Sequence, residues 1–90
     1  MYAYLIRAII RDIEFNLQNA DNKDVERSAF TAGAVTAYTD ILRNIGHEVN
    51  HGDWTDNGCS RVGYLEIDGK VIVKNSKINY EAVSKELNQQ

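Results

Sequence analysis

The sequence has no proline, one cysteine and one tryptophan among its 90 residues. Because proline is absent, no helix is interrupted by a residue that cannot donate its backbone hydrogen bond. The single cysteine, Cys59, cannot form a disulfide within the chain, so we expect stability from packing and a reducing compartment. Internal repeats and low-complexity tracts are also missing, and 43% hydrophobic residues predict one ordered domain over residues 1–90.

Long apolar runs and an excess of positive charge are missing too. The apolar N-terminal run ends at Arg7 and is too short and too charged for a signal peptide or a membrane span. The net charge of −3 gives no general attraction to phosphate backbones or anionic membranes. We therefore expect a cytoplasmic protein without a membrane contact, and nucleic-acid binding is disfavoured.

Two periodic segments predict two N-terminal helices. Residues 2–17 gather apolar side chains on one stripe and charged side chains opposite. A polar break over residues 18–22 follows, in which Asp21 or Asn22 can cap a second helix. That helix is predicted to run to Ile45, because Gly46 can adopt the left-handed conformation that ends a helix.

The second helix has two apolar surfaces of different character. The bulky surface is predicted to face the core and consists of Phe30, Ala34, Ala37, Tyr38, Ile41, Leu42 and Ile45. The opposite surface is made of smaller residues: Val25, Ala29, Ala32, Gly33 and Thr36. Small side chains let a second backbone approach, so we expect one beside Gly33. The alternative is that these alanines only favour the helix.

The dipeptide Asp68-Gly69 is typical of the two-residue turn of a β-hairpin, here between residues 61–67 and 70–74. The predicted register has three pairs: Ile67 with Lys70, Leu65 with Ile72, and Tyr64 with Val73. Alternation then gives both faces aliphatic residues. One face combines Leu65, Ile67 and Ile72 with Arg61, Lys70 and Lys74. Since two apolar faces need two surfaces to pack against, we expect this face to be covered by another chain or by another element of this one.

The remaining segments complete the predicted fold. Residues 47–60 form either a long loop or a short strand at 47–51 followed by a turn at Asn57-Gly58. A short C-terminal helix over residues 80–87 is capped by Asn79. The predicted fold class is α+β, with two N-terminal helices, a two- or three-stranded antiparallel sheet and a short C-terminal helix.

Four side chains of types that bind transition metals lie close together in the sequence: His47, His51, Asp53 and Cys59. Their spacing matches no pattern that aims ligands from a turn or helix, so we expect no metal and no cofactor. A nucleophilic Cys59 or Ser60 with His51 and Asp53 is a further arrangement, but no glycine elbow or helix N-terminus supports an oxyanion site.

Trp54 lies in an acidic segment and has two interpretations. It either covers the hairpin core or forms an exposed anchor for a partner, since tryptophan is enriched among the residues that dominate interface energies. Tyr4 and Phe15 lie off the main stripe of the first helix and are expected to be partly buried.

The stretch from Ala29 to Gly46, AFTAGAVTAYTDILRNIG, resembles the central helix of short proteins carried by phages and prophages of Gram-positive bacteria. The resemblance is compositional, covers about a fifth of the chain and carries no functional residue over. It implies a small acidic protein that occupies a surface of a host enzyme, such as a nuclease of anti-phage defence, in the host cytoplasm.

The predicted function is therefore that of a small non-enzymatic interaction protein that forms a homodimer or binds and inhibits a host protein. The predicted partner-binding residues are Trp54, Leu65, Ile67, Ile72, Arg61, Lys70 and Lys74. The alternatives are a metal-dependent or hydrolytic enzyme centred on residues 47–59 and a weak nucleic-acid-binding module using the basic residues of the hairpin with Lys77.

Overall fold

The computed structural model of the chain describes residues 2–88. The elements in chain order are α1 (Tyr2–Asp21), α2 (Val25–Asn44), β1 (Val49–Asp56), β2 (Cys59–Ile67), β3 (Lys70–Lys74), β4 (Lys77–Ile78) and α3 (Tyr80–Asn88). The strands form one antiparallel sheet in the order β1-β2-β3-β4. The predicted α+β class is confirmed, and β4 is an additional short strand. Among residues 2–88, no helix is long and apolar enough to cross a membrane.

The helices share one core with the sheet. Ile6, Ile9 and Ile13 of α1 belong to the same buried cluster as Leu65 and Ile72 of the strands. The wider cluster also includes Val35 and Leu42 of α2 and Val83 of α3. Because all three helices contribute to this one cluster, they cover one face of the sheet, and no element within residues 2–88 covers the other face.

The junction between the first two helices differs from the prediction. Helix α1 continues through the predicted polar break to Asp21. The N-cap of α2 is Asp24, whose side chain accepts a hydrogen bond from the backbone N–H of Arg27 at 3.1 Å. The predicted caps, Asp21 and Asn22, were therefore wrong. Asp21 instead binds the guanidinium of Arg61 at 2.6 Å, a long-range contact that local pattern analysis cannot detect.

The buried face of α2 is also different from the predicted one. Phe30 is 78% exposed and Ile45 56% exposed, so most of the bulky surface points to solvent. The buried residues are Ser28, Thr31, Ala32, Val35, Thr39 and Leu42. The three hydroxyl groups among them donate to backbone carbonyls of the preceding turn, at Val25, Arg27 and Thr36. These side chains are small, and their hydroxyl groups form hydrogen bonds within their own helix. They can therefore be buried, although a hydrophobicity scale ranks them as polar.

Gly33 does not lie beside a second backbone. Within residues 2–88, no neighbouring atom outside its own helix lies within 4 Å of the position that a Cβ atom would occupy. The predicted close approach is therefore wrong for the single chain. Gly33 lies on the exposed side of α2, where glycine only weakens the helix.

We expect Gly33→Ala to raise the free energy of unfolding by up to about 1 kcal/mol, because alanine loses less backbone entropy in a helix and meets no neighbour here. Denaturant titrations of dilute wild type and variant measure the change. Ala29→Gly on the same exposed side is the reverse control and should cost a similar amount. A destabilised Gly33→Ala would contradict the open environment.

Three two-residue turns connect the strands. The first two, Asn57-Gly58 and Asp68-Gly69, have positive φ at both residues, as type I′ turns require, and both were predicted. The third, at Asn75 and Ser76, has the same conformation without a glycine. This turn forms the β3–β4 hairpin. The sequence analysis missed it because serine rarely adopts positive φ.

The register of the β2–β3 hairpin changes halfway along. Ile67 pairs with Lys70 as predicted, but Leu65 pairs with Val73 rather than with Ile72. A β-bulge around Ile72 adds one residue to β3 and reverses the alternation beyond it. A second bulge in the β1–β2 pairing lies opposite Gly52 and Asp53.

The bulge brings the aliphatic residues of both predicted hairpin faces into one buried core. Leu65, Ile67 and Ile72 are at most 1% exposed and join Val62 and Val73 in the single core. The predicted cover is therefore supplied by this chain's own elements, the second of the two expected outcomes. These three aliphatic residues lie outside any surface that a partner can reach, which corrects their assignment as partner-binding residues.

Along the first half of β2, side chains rather than a neighbouring strand bind the backbone groups that β3 does not reach. Strand β3 pairs with β2 at Tyr64 and beyond, so Ser60 and Val62 lie past its end. The Asn16 amide donates to the Ser60 carbonyl at 2.9 Å and accepts from the Val62 N–H at 2.8 Å. The Ser60 N–H donates to Ser28 Oγ, and Ser76 Oγ donates to the Val62 carbonyl. These side chains take the place of a neighbouring strand.

Candidate functional site

Trp54 of the edge strand β1 and Gly63 of β2 lie on the sheet face that the helices do not cover. A Cβ atom on residue 63 would lie 2.0–2.5 Å from three atoms of the indole ring, so the ring occupies the space of the missing side chain. Gly63 is buried beneath it, while Trp54 remains 45% exposed. Trp54 thus covers the sheet at Gly63 and is not part of the buried core, and its exposed portion keeps the anchor interpretation as a prediction.

The cross-strand pairs place Tyr64, Glu66, Val71 and Lys74 on the same open face. Tyr64 is paired with Lys74 and Glu66 with Val71, and each pair lies on the face opposite the buried Leu65. The Tyr64 hydroxyl donates to Glu66 Oε1 at 2.7 Å. This hydrogen bond raises the pKa of Tyr64, because ionisation would remove the donated proton beside a carboxylate. We call Trp54, Tyr64, Glu66, Val71 and Lys74 the open sheet face.

The predicted basic residues are not brought together. Arg61 is directed to Asp21 and lies 3.6 Å from Asp56. Lys70 forms an ion pair with the buried Glu86 of α3, so it joins the hairpin to that helix. Arg61 is the cross-strand partner of Trp54, and Lys74 is that of Tyr64, so both lie on the same side of the sheet as the open sheet face. Of the seven predicted partner-binding residues, this side therefore contains Trp54, Arg61 and Lys74.

The candidate metal and catalytic residues are distributed over β1, the segment before it and the start of β2. His47 precedes the strand and lies 2.7 Å from Asp68, whereas Cys59 is buried at the other end, opposite Asp56. His51 Nε2 lies 2.7 Å from Asp53 Oδ1. Within residues 2–88, no three His, Cys, Asp or Glu side chains are placed so that they could hold a metal ion. The structure thus brings His51 and Asp53 together and places His47 and Cys59 at opposite ends of β1.

One open depression lies beside α3. It has a volume of about 370 Å³ and is lined by Lys70, Asn79, Glu81, Ala82 and Lys85. Lys70 is already paired with Glu86, and the Asn79 carboxamide caps α3 by accepting from the Ala82 N–H. The polar groups that line the depression thus have structural roles, and it contributes no further candidate residue.

Asp68 connects the β2–β3 turn to the start of β1. Its carboxylate accepts a hydrogen bond from the Glu48 N–H at 2.9 Å and lies 2.7 Å from His47 Nδ1. The backbone hydrogen bond from Glu48, followed by the contact with His47, holds the pKa of Asp68 below its ordinary value of 3.8. Such a group stabilises the fold above its unfolded pKa, and this contribution is lost as the pH falls through the lower folded value.

We expect Asp68→Asn to be less stable than wild type at neutral pH, with the difference vanishing as the pH falls below the wild-type carboxyl pKa. Asparagine tolerates positive φ, so the turn conformation is retained. Thermal melts between neutral pH and about pH 2 measure the difference. Asp40→Asn, which removes an exposed ion pair with Arg43, is the control with little effect. A difference independent of pH would contradict the role of the Asp68 carboxylate.

The fold and the open sheet face define a small α+β protein whose candidate site is a surface rather than a cavity. Comparison with protein-family models, curated proteins and solved structures finds no match for this chain. The candidate site therefore depends on the geometry alone. Sequence reasoning found Trp54 but missed its contact with Gly63, because that contact crosses between two strands at a bulge.

Proposed function

We propose that this protein is a small non-enzymatic interaction protein that binds another protein on its open sheet face, with Trp54 as the anchor. The observation that carries the proposal is the packing of the indole ring on Gly63. This contact holds the ring in one orientation while 45% of the side chain remains exposed. A side chain already ordered loses little entropy on binding, and tryptophan supplies a large apolar area with a polar N–H.

The surroundings of Trp54 fit a protein partner better than a small substrate. Asp56, two residues further along β1, and Glu66 of β2 lie on the same side and provide a polar rim, while Tyr64 and Val71 extend the apolar centre. An aromatic centre with a polar rim is the usual anatomy of protein interfaces. The resemblance of residues 29–46 to phage proteins favours a host protein in the host cytoplasm as the partner, and inhibition of that protein as the effect.

We expect Trp54→Ala to weaken partner binding by about 2 kcal/mol or more, because it removes the anchor of the interface. The same change should cost the free protein only about 1–2 kcal/mol of stability, since the ring is half exposed. A partner captured from a host extract is purified and titrated calorimetrically against wild type and variant. The matched control is Tyr80→Ala, which truncates a 55% exposed aromatic residue on α3.

Intrinsic fluorescence gives a second measurement, because Trp54 is the only tryptophan. Saturation with the partner should shift its emission to shorter wavelength as the ring leaves water. Equal affinity of wild type and Trp54→Ala, or an unchanged emission maximum at saturation, would overturn the proposed site. If Tyr80→Ala weakens binding instead, the partner occupies the surface near α3.

A further inference from the structure

The outer side of α2 has no charged residue over three turns. Residues 28–39 contain no Asp, Glu, Lys or Arg, although Phe30, Gly33 and Ala37 are exposed there. Exposed faces of helices in monomeric proteins normally carry charged side chains. Charged residues flank this segment at both of its ends, with Glu26 and Arg27 before it and Asp40 and Arg43 after it. An uncharged centre between charged ends is the arrangement of a protein interface.

Helix α1 adds two exposed aromatic residues beside this surface, with the exposed Arg11 between them. Tyr4 is 73% exposed and Phe15 50% exposed, and a spacing of eleven residues puts them on the same side of the helix. Ala8 lies between them and is buried, so this side adjoins another element. That element is α2, because α3 contacts α1 through Tyr80 and Glu14, which lies on the other flank. We call Tyr4, Phe15, Phe30, Ala37, Ile41 and Ile45 the outer helical surface.

The area of the outer helical surface is large for a monomer. The exposed fractions of Tyr4, Phe15 and Phe30 amount to on the order of 400 Å² of aromatic surface per chain. Ile41 and Ile45, also largely exposed, and the intervening alanines increase this area. The total approaches the roughly 600 Å² per partner at which specific dimers begin. This area is at the upper end of what monomers expose in one patch, and patches of that size are often functional.

The order of side-chain sizes along α2 fits a second copy of the same helix. Phe30 and Ile41 are the bulky ends of a stripe whose middle, Ala34 and Ala37, is small. In an antiparallel pair related by a two-fold axis, Phe30 meets Ile41 of the other copy and Ala34 meets Ala37. Small residues allow helices to cross closely at the centre, and bulky residues fill the space where the helices diverge.

We propose that the protein forms a two-fold symmetric homodimer in which the α2 helices cross antiparallel at Ala34 and Ala37. The α1–α2 hairpin sets Asn16 level with Ser28 and Thr31. Phe15 is therefore level with the Phe30 end of the stripe and Tyr4 with the Ile41 end. The two-fold axis brings Phe15 of one copy towards Tyr4 of the other, which extends the contact. The open sheet face remains free, so a dimer presents two Trp54 anchors.

Sedimentation velocity from micromolar to millimolar concentration tests the dimer. Wild type should sediment as a concentration-dependent dimer, and Phe30→Lys should raise the dimer dissociation constant at least tenfold, because it places a charge against the apolar Ile41 of the other copy. Ala37→Lys is a second variant at an exposed helical position and should have the same effect. Both side chains point to solvent in the single chain, so the monomer should keep its circular dichroism spectrum.

The matched control is Val71→Lys on the open sheet face, which should leave the dimer dissociation constant unchanged. Wild type that remains monomeric at millimolar concentration would overturn the proposal, as would Phe30→Lys and Ala37→Lys variants that associate like wild type. Dissociation by Val71→Lys in place of Phe30→Lys would locate the interface on the sheet and would also overturn it. Partner binding through Trp54 is tested by different variants, so the failure of either proposal is recognised separately.

Discussion

Asn16→Asp is expected to remove about 3 kcal/mol or more of stability, the largest effect of any single change proposed for this protein. The Asn16 side chain is fully buried, and its Nδ2 donates to the carbonyls of Ser28 and Ser60, each at 2.9 Å. An aspartate would direct a carboxylate oxygen at these two carbonyl oxygens. Leaving buried acceptors unpaired costs about 1–3 kcal/mol each, and a buried unpaired charge costs more.

Equilibrium denaturation of wild type and Asn16→Asp measures this loss. For a domain of this size, about 3 kcal/mol corresponds to a fall in Tm of at least about 12 °C. Gln18→Glu makes the same amide-to-carboxylate change at an exposed position of α1, and should stay within about 0.5 kcal/mol of wild type. The loss of stability in Asn16→Asp should be smaller at acid pH, because protonation of the aspartate removes the buried charge. Equal losses in the two variants would show that Asn16 has no special role.

Gly63→Ala is expected to displace the Trp54 ring and to cost about 1–3 kcal/mol, the second large effect. The added methyl group would lie 2.0 Å from the nearest ring carbon, far inside van der Waals contact. Gly63 is not among the residues with positive φ, so its backbone conformation does not require glycine. Only the lack of space beside the Trp54 ring excludes a larger residue. The displaced indole should show emission at longer wavelength and a fall in Tm.

Two further variants isolate the steric cause of the Gly63→Ala effect. Gly52→Ala adds the same methyl group to β1, where the nearest atom outside the backbone neighbours is Tyr64 Cβ at 3.8 Å, and should be tolerated. In a Trp54→Ala background, Gly63→Ala should cost little, because the conflicting ring is gone. Additive losses in the double variant would mean that Gly63 is required for a reason other than the tryptophan. Loss of partner binding in Gly63→Ala would support a fixed Trp54 as the anchor.

The sequence determined the elements that depend on local interactions. Asp68-Gly69 and Asn57-Gly58 specify type I′ turns because few other residues adopt positive φ twice in succession. Asn79 caps the last helix as predicted, since a cap is formed within one turn. The α+β class follows from two long periodic segments and from hairpins with short turns. The choice of Trp54 as the candidate anchor also came from the sequence, because tryptophan is enriched among the residues that dominate interface energies.

The tertiary structure decided which faces of these elements are buried. Asn16 is a polar residue on an apolar stripe, and its role appears only when α1, α2 and the uncovered part of β2 meet. The hydroxyl residues of α2 are buried and Phe30 is exposed, because small side chains satisfied by their own helix pack closer to the sheet than bulky ones. The bulge around Ile72 moved the apolar residues of two faces into one core. Each of these outcomes depends on residues distant in sequence, which periodicity within one element cannot report.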